Sequence, residues 1–421
     1  MGKKNFLNLI IRMVTLFCRF CLIFYLAKVL DPEQVGLYAL FMAFVGYSLY
    51  FVGLDFYSYM TREILNAPIE LRGRLLKCQF VLSCALYVIF IPLFILSMNQ
   101  LDWPSSMMLL FIPALVLEHF NQELYRLLVA LSEQITASML LFVRQGSWVI
   151  SVIWITSIND SAKNLEFVII NSVVAGVMAA LFGVYKLKGL RFGGWLLQVD
   201  WSWIKTGIKV SGAFLIATLA LRAIPTLDRF FIESLVSVEA VAPYVLLLAY
   251  ANVLIVFLEA GIFSFVYPDL IKLSQNAQFN KATSRVKEVF WQVLFVVTGY
   301  GLVSWLTLPF LLSWIGHDIY SQYSPLYPWL FSASALFAFS LIPHFALYAR
   351  GRDKPIIYSP IAALLCFLCV TWFSRNSGVL AVIFGINAAY ALLLFVKVYA
   401  YCAMVKHDDS LIEDRIVSVK I

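Results

Sequence analysis

Long apolar runs separated by short polar stretches extend along almost the whole chain. Most runs reach or exceed the roughly 20 residues that an α-helix needs to cross the hydrocarbon core of a bilayer. The runs lack the in-and-out alternation over about 10 residues that a membrane β-strand shows. The pattern predicts an all-α integral membrane protein with twelve transmembrane helices, at 6–28, 35–60, 75–98, 105–128, 136–157, 165–186, 208–232, 240–265, 289–315, 326–349, 356–374 and 379–404.

Composition agrees with this class of protein. Hydrophobic residues make up 62% of the chain and charged residues only 13%, against about 25% charged in soluble domains. The first apolar run, "KKNFLNLIIRMVTLFCRFCLIFYLAK", reaches Lys28 without the small-residue cleavage site of a secretory signal, so it is interpreted as a retained first span.

The distribution of basic residues predicts the orientation in the membrane. Both termini are placed in the cytoplasm, because Lys and Arg then concentrate on the cytoplasmic side. The predicted outer loops hold only Lys28, Lys163 and Arg375, six basic residues lie inside the spans, and the other 22 of the 31 lie in the tails, the cytoplasmic loops and the span ends beside them. The net charge of +7 is therefore mostly a topology signal, and it does not require a nucleic-acid partner.

A polar hinge, "LDPEQVGLYALF" at 30–41, has a partial copy, "VSVEAVAPYVLL", at 236–247. Pro and acidic residues favour the start of a helix at such a place. A shift of 206 residues aligns seven identical pairs within 26 positions: Glu33/Glu239, Val35/Val241, Tyr38/Tyr244, Leu40/Leu246, Ala43/Ala249, Phe51/Phe257 and Ser58/Ser264. Because six spans is an even number, the repeat predicts two parallel-related six-helix bundles around a central cavity.

The repeat also predicts the domain organisation. The N-terminal half is placed at 1–186, a cytoplasmic connector at 187–207, the C-terminal half at 208–404 and a cytoplasmic tail at 405–421. In and beside the connector, five apolar residues could line one side of an interfacial helix: Trp195, Leu196, Trp201, Ile204 and Ile208. A basic linker with interfacial tryptophans explains the same residues equally well.

Cations inside the spans are the first candidate site residues, since each costs about 2.5–3.5 kcal/mol at a helix centre on insertion scales. Each half opens with two arginines seven residues apart and therefore on one helix face. Snorkelling to the surface, or pairing with a neighbouring acid, is the alternative for the outermost of them. The predicted substrate-binding residues are Arg19, Arg144 and Arg222, followed by Arg12, Arg229 and Lys397.

Acids inside the spans are candidates for ion coupling, because a carboxylate in a low-dielectric cavity is suited to binding and releasing a proton. The alternative for each acid is an internal ion pair that holds helices together, as the spacing of Glu123 and Arg126 permits. The candidates are Glu118, Asp55, Asp228, Glu259 and Glu123.

Other chemistry has little support in the sequence. The pairs Cys18/Cys21 and Cys366/Cys369 have C-x-x-C spacing, but they lie in apolar helices without a nearby His or second pair, so no metal is assigned to them. A G-x-x-x-x-G-K-[ST] nucleotide-binding loop is absent, and no cofactor is expected. Because the predicted outer loops are short, transport is favoured over catalysis.

The sequence resembles the polysaccharide transporters of the multidrug/oligosaccharidyl-lipid/polysaccharide exporter superfamily, in particular the O-antigen flippases of the Wzx type. The resemblance rests on the first hinge, on the segment from "FGGWLLQVDWSWIKTGIKV" to "AVAPYVLLLAY", and on the twelve-span plan with short outer loops. Such proteins carry an Asp-Arg pair before the second hinge, as Asp228 and Arg229 do here. The second hinge departs from the family pattern, since Ala242 and Pro243 precede the retained Tyr244.

This resemblance implies a flippase in the bacterial cytoplasmic (inner) membrane that carries an undecaprenyl-pyrophosphate-linked oligosaccharide between leaflets. It implies contacts with membrane lipids and with a polysaccharide polymerase and a chain-length regulator. Arg19, Arg144 and Arg222 would contact the anionic headgroup, because arginine binds phosphate through bidentate hydrogen bonds.

Three alternatives remain open: a multidrug exporter of the same superfamily, a major-facilitator transporter and a membrane-embedded polysaccharide polymerase. The major-facilitator G-x-x-x-D-R loop is absent from "TREILNAPIELRGRLLK".

Overall fold

The structure, a computed structural model, describes the backbone of residues 3–419 and the side chains of residues 7–212 and 215–406. Within that backbone the regular structure is helical and includes no strand. Ten helices of the described chain are long and apolar enough to cross a membrane, and the bent pair Trp201–Gly212 and Leu215–Leu235 would make an eleventh. The predicted all-α membrane fold is confirmed, and the number of spans approximately matches the twelve predicted.

The first part of the chain forms eight α-helices, with a π-helical turn between two of them. They are α1 (Lys3–Val29), α2 (Pro32–Gly53), α3 (Tyr57–Asn66), α4 (Ile69–Gln100), α5 (Ser105–Ala130), α6 (Gln134–Phe142), the π-helical turn Val143–Ser147, α7 (Trp148–Ile158), the 3-10 turn Asp160–Ala162 and α8 (Leu165–Gly189). Helices α6 and α7 together make one span, Gln134–Ile158. Helix α5 has the length of a span but carries several polar and charged side chains in its second half.

The second part repeats this helical plan. It contains α9 (Trp201–Leu235), α10 (Val238–Leu258), the π-helical turn Glu259–Phe263, α11 (Ser264–Gln275), α12 (Phe279–Ile315), α13 (Asp318–Gln322), the 3-10 turn Ser324–Leu326, α14 (Tyr327–Ala349), α15 (Asp353–Phe373), the 3-10 turn Arg375–Ser377 and α16 (Val379–Val419). The chain forms two compact units, Met1–Leu219 and Ala220–Ile421. In the second unit a core of α10, α11, α12 and α14 is built largely from Val, Leu and Ala.

Both copies of the hinge are helix starts, as predicted. Helix α2 begins at Pro32, directly after Asp31, and Glu33 lies in its first turn. In the second copy the Ser237 hydroxyl accepts a hydrogen bond from the Ala240 N–H at 3.2 Å and caps α10. An acid in the first turn, Glu33 in α2 and Glu239 in α10, favours the helix dipole at both hinges. The second hinge adds the Ser237 side-chain cap, whereas the side chain of Asp31 makes no such bond at the first.

The predicted span 35–60 is wrong at its end, because α2 stops at Gly53 and α3 is a separate helix. Leu54 and Asp55 take positive φ angles of 49° and 51°, which breaks the helix. The imidazole of His119 lies against the break, 3.1 Å from where a Cβ on Gly53 would stand. Non-glycine residues rarely adopt positive φ, so Leu54 and Asp55 gave no sequence signal for a break. The apolar pattern therefore predicted one continuous helix through this point.

The connector is divided between the two interpretations: Trp195 and Leu196 lie in a linker without helix, whereas Trp201, Ile204 and Ile208 lie in the first part of α9. Residues 190–200 contain no helix. The linker binds the first turn of α4, where the Gly193 N–H donates to Ile69 O at 3.0 Å and the Gly73 N–H donates to Gly193 O at 2.8 Å. At its end an Asp200 carboxylate oxygen accepts from the Trp203 N–H at 3.0 Å and caps α9.

Candidate functional site

The two arginines of α1 face the same neighbouring helix. Arg12 Nε donates to Ser138 Oγ at 3.0 Å, and Arg19 Nη1 donates to Gln145 Oε1 at 3.2 Å. Ser138 and Gln145 are also seven residues apart, so they lie on one face of the fifth predicted span. This face lies beside the face of α1 that carries Arg12 and Arg19. Arg12 is half-buried, whereas Arg19 is exposed. Of the two guanidinium groups, that of Arg19 is therefore the more accessible.

Arg144 is part of a buried ion pair. Its side chain is 7% exposed, and its Nη2 atom lies 2.6 Å from Oε1 of Glu118 on α5. It sits in the π-helical turn Val143–Ser147, a feature that often marks functional sites in helices. Arg144 was predicted to bind substrate and Glu118 to couple an ion, and the structure pairs them with each other. This is the internal ion pair that was the alternative for each acid.

The remaining acids of the first unit differ in their surroundings. Glu123 accepts from Gln79 Nε2 at 2.6 Å and pairs with Arg126 at 2.7 Å. Arg126 also stacks over the ring of Tyr57, with its guanidinium carbon 3.7 Å from the centroid. Asp55 is half-buried at the break after α2 rather than inside a helix, which corrects its predicted place in a span.

Arg222 and Glu259 form the corresponding charged feature of the second unit. Arg222 is exposed on α9, and Glu259 begins the π-helical turn between α10 and α11. Arg222 lies within electrostatic range of Glu259 and of Tyr390. Among the described residues neither Arg222 nor Glu259 makes a side-chain hydrogen bond or an ion pair within 4 Å. The two groups therefore interact through space without a direct contact that fixes either side chain.

Asp228 is fully buried and fixed by its neighbours. One carboxylate oxygen accepts from the Tyr244 hydroxyl at 2.7 Å, and the other accepts from the Arg229 N–H at 2.7 Å. Arg229 Nε lies 4.0 Å from the same carboxylate. Because a buried carboxylate needs such partners, these contacts lock α9 onto α10 beside the second hinge.

Lys397 on α16 is 3% exposed, and among the described residues it has no carboxylate partner. The imidazole of His344 on α14 lies within electrostatic range of Lys397, and His344 Nδ1 is buried without a hydrogen-bond partner. Two groups able to carry positive charge therefore meet in the core of the second unit, where positive charge without a partner is costly.

Several residues of these clusters were missed by the sequence reasoning: Tyr57, Gln79, Ser138, Gln145 and His344. Uncharged polar residues in spans are common, and their spacing alone does not show which helix they face. The seven-residue spacing of Ser138 and Gln145, which repeats that of Arg12 and Arg19, was the one available signal.

Comparison with solved structures decides the fold. An inward-facing multidrug resistance MATE family transporter of the MOP superfamily superposes with a TM-score of 0.77 at 14% identity, over 97% of this chain and 99% of that one. This chain has the MATE transporter fold. An outward-facing multidrug resistance MATE family transporter matches with a TM-score of 0.60 at 12% identity, over 96% and 94% of the two chains. The Vibrio cholerae MATE transporter VcmN in the bent form matches with a TM-score of 0.56 at 14% identity, over 97% and 99%.

The MATE fold is thus established from structure, while sequence comparison adds nothing to it. No protein-family profile matches the chain, and no curated protein matches it. The solved neighbours are transporters rather than enzymes, which agrees with the preference for transport.

Proposed function

We propose that the chain is an alternating-access flippase, which carries a lipid-linked oligosaccharide with a phosphate or pyrophosphate headgroup across a bacterial cytoplasmic membrane with both termini cytoplasmic. A polyprenyl chain can remain in lipid while the polar glycan and its phosphates cross in a wet cavity. The phosphates then need cations inside the protein, and arginine binds them through paired hydrogen bonds. A polymerase and a chain-length regulator are the proposed partners.

The observation that carries this proposal is the position of Arg222. It lies 13 residues before the end of α9, which at 1.5 Å per residue is about 20 Å. It is exposed at that depth, and a cation facing hydrocarbon at such a depth would be costly. Arg222 is therefore expected to face water. In the first unit the exposed cation of the arginine pair is Arg19 on α1.

Ion coupling is proposed for Glu259, the acid near Arg222. A carboxylate near a guanidinium competes with a phosphate for it. When the phosphate binds Arg222, proton uptake by Glu259 removes the repulsion between the two anions. Three of the other coupling candidates are already engaged: Glu118 with Arg144, Glu123 with Arg126, and Asp228 with Tyr244. The fourth, Asp55, lies outside the helices at the break after α2.

A multidrug exporter is the second candidate, favoured by the name of the structural neighbour with a TM-score of 0.77. A cationic drug would be repelled by Arg19 and Arg222, whereas an anionic substrate would be attracted. The charges inside the spans therefore favour the phosphate-bearing substrate.

The decisive experiment replaces Arg222 by Ala and by Lys in a strain that depends on this chain for surface polymer. The Ala variant is expected to lower surface polymer at least tenfold and to accumulate the lipid-linked precursor. The Lys variant is expected to retain partial export, because it keeps the charge but loses the bidentate geometry. Arg352→Ala, an exposed arginine between α14 and α15, is the matched control with unchanged export.

Normal export by Arg222→Ala at normal protein level would exclude the residue from the mechanism. In proteoliposomes, Glu259→Gln is expected to remove the dependence of transport on a pH gradient. If Glu259→Gln transport still follows the gradient, coupling belongs to another group.

A further inference from the structure

A cavity of about 710 Å³ lies inside the first unit, between α4, α5, α8 and the linker after α8. This volume falls within the range of about 300–1,000 Å³ that is typical of small-molecule sites. Its walls are mainly apolar and include Phe80 of α4, Leu117 and Phe120 of α5, and Val184 and Leu187 of α8. None of the candidate cations of the proposed substrate path lines it.

At the cavity, α5 packs closely on α8 and less closely on α4. Gly176 and Gly183 of α8 lie against side chains of α5, so these two helices pack directly. Helix α4 is joined to α5 by polar bridges instead, one of 2.6 Å between Gln79 Nε2 and Glu123, and one of 2.6 Å between the Tyr87 hydroxyl and His119 Nδ1. The four side chains of these bridges are part of the cavity lining.

Two cations line the cavity where it meets the linker. Lys188, near the end of α8, and Arg191, in the linker, are exposed, and among the described residues neither has an acid within 4 Å. Arg191 has a positive φ of 52°, a conformation that is rarely adopted by a non-glycine residue. The indole of Trp195 lines the same end.

Neighbouring cations are already committed to the protein. Arg74 pairs with Asp200 at 3.2 Å, and Lys77 Nζ donates to the Leu197 carbonyl at 2.9 Å. The one acid of the cavity lining, Glu123, has one oxygen bonded to Gln79 and the other to Arg126. The uncompensated charge at the cavity is therefore the positive charge of Lys188 and Arg191.

We propose that this cavity binds a lipid with a phosphate headgroup, with a hydrocarbon chain between α4, α5 and α8 and the phosphate at Lys188 and Arg191. A free phosphate would leave the apolar walls unfilled, and a lipid without phosphate would leave both cations without a partner. Tryptophan beside basic residues is typical of positions at the level of lipid headgroups. The site is separate from the proposed substrate path, so it acts as a lipid site in its own right.

The test measures lipid binding to the purified full-length chain in detergent by native mass spectrometry. The probes are phosphatidylglycerol, a polyprenyl phosphate, and diacylglycerol, which lacks phosphate. Both phosphate lipids or one of them should bind as a single copy, and diacylglycerol should not. The double variant Lys188→Gln/Arg191→Gln is expected to weaken binding roughly 30-fold, because each basic group near a headgroup contributes about a factor of five.

Two further variants sharpen the result. Ala180→Trp places a large side chain at a position that lines the cavity and should abolish binding. Lys186→Gln is the matched control, since Lys186 is exposed near Lys188 but does not line the cavity, and its binding should stay within twofold of the parent chain. The double variant alters only exposed side chains, so it carries the test even if Ala180→Trp does not fold.

Preference for phosphatidylglycerol or for the polyprenyl phosphate supports the proposal and identifies the source of the lipid. Equal binding of diacylglycerol, or unchanged affinity in the double variant, overturns it. Since no transport is measured, this result is independent of the outcome for Arg222.

Discussion

At the residue scale, the charges within the spans separate into fixed pairs and available groups. Glu118 and Arg144 pair at 2.6 Å, which leaves Arg144 Nε and Nη1 buried without a hydrogen-bond partner, and Asp228 is held by Tyr244. Arg222 and Glu259 lie within electrostatic range of one another, and among the described residues no hydrogen bond or ion pair within 4 Å fixes either side chain. Charge type and depth, which are visible in the sequence, did not separate these two classes, because the separation depends on which helices are neighbours.

The Glu118–Arg144 pair can be tested as a structural element of the first unit. Arg144→Met should lower the free energy of unfolding by about 3 kcal/mol, because it leaves the Glu118 carboxylate without its partner in a largely buried place. The double variant Arg144→Met/Glu118→Leu should recover most of this loss. The measurement is thermal unfolding in detergent for both single variants and the double variant. Additive losses in the double variant would show that the two residues are not energetically coupled.

At the scale of elements, short irregular segments place the candidate residues. Of the two π-helical turns in the described chain, one contains Arg144 and the other begins at Glu259. Asp55 lies in the break that follows Gly53. The linker is held on α4 by a close approach of two backbones, where a Cβ on Gly73 would meet the carbonyl oxygen of Gly193. A glycine is required there because a larger residue would displace backbone rather than a side chain.

This close approach makes Gly73→Ala informative. The variant should lose about 2 kcal/mol of stability, since the new methyl group forces the linker away and breaks the hydrogen bond from the Gly73 N–H to Gly193 O. Faster proteolysis within residues 190–200 should accompany the lower melting temperature. Gly46→Ala is the control, because no atom lies within 4 Å of a Cβ at that position, and it should be as stable as the parent chain or slightly more stable. Equal stability of both variants would contradict the role given to Gly73.

At the scale of the whole molecule, the chain consists of two compact helical units, Met1–Leu219 and Ala220–Ile421. The repeated hinge predicted two halves from seven identities, and the match to MATE structures over 97% of the chain supports that architecture. The excess of basic residues in alternate loops predicts which loops are cytoplasmic. This orientation stays a prediction.

Cysteine labelling tests the orientation in intact cells. In a background with the seven native cysteines replaced, Ser161→Cys and Asn376→Cys should react with a membrane-impermeant maleimide added from outside. Gln198→Cys and Asn276→Cys should react only after the cells are permeabilised. The four positions are exposed, so accessibility depends on the side of the membrane. Labelling of Gln198→Cys from outside would reverse the predicted orientation.

The sequence by itself determined the class of the protein, the approximate spans, the two hinges and the presence of cations at depth. These properties follow from local hydrophobicity and helix-start residues, which act over one helix length. Only the tertiary structure decided the end of α2, the binding of the linker to α4, the cavity beside it and the partners of each charge. Those features depend on contacts such as Arg19–Gln145, 126 residues apart, and a pattern within one helix cannot specify which side chain of another helix will face it.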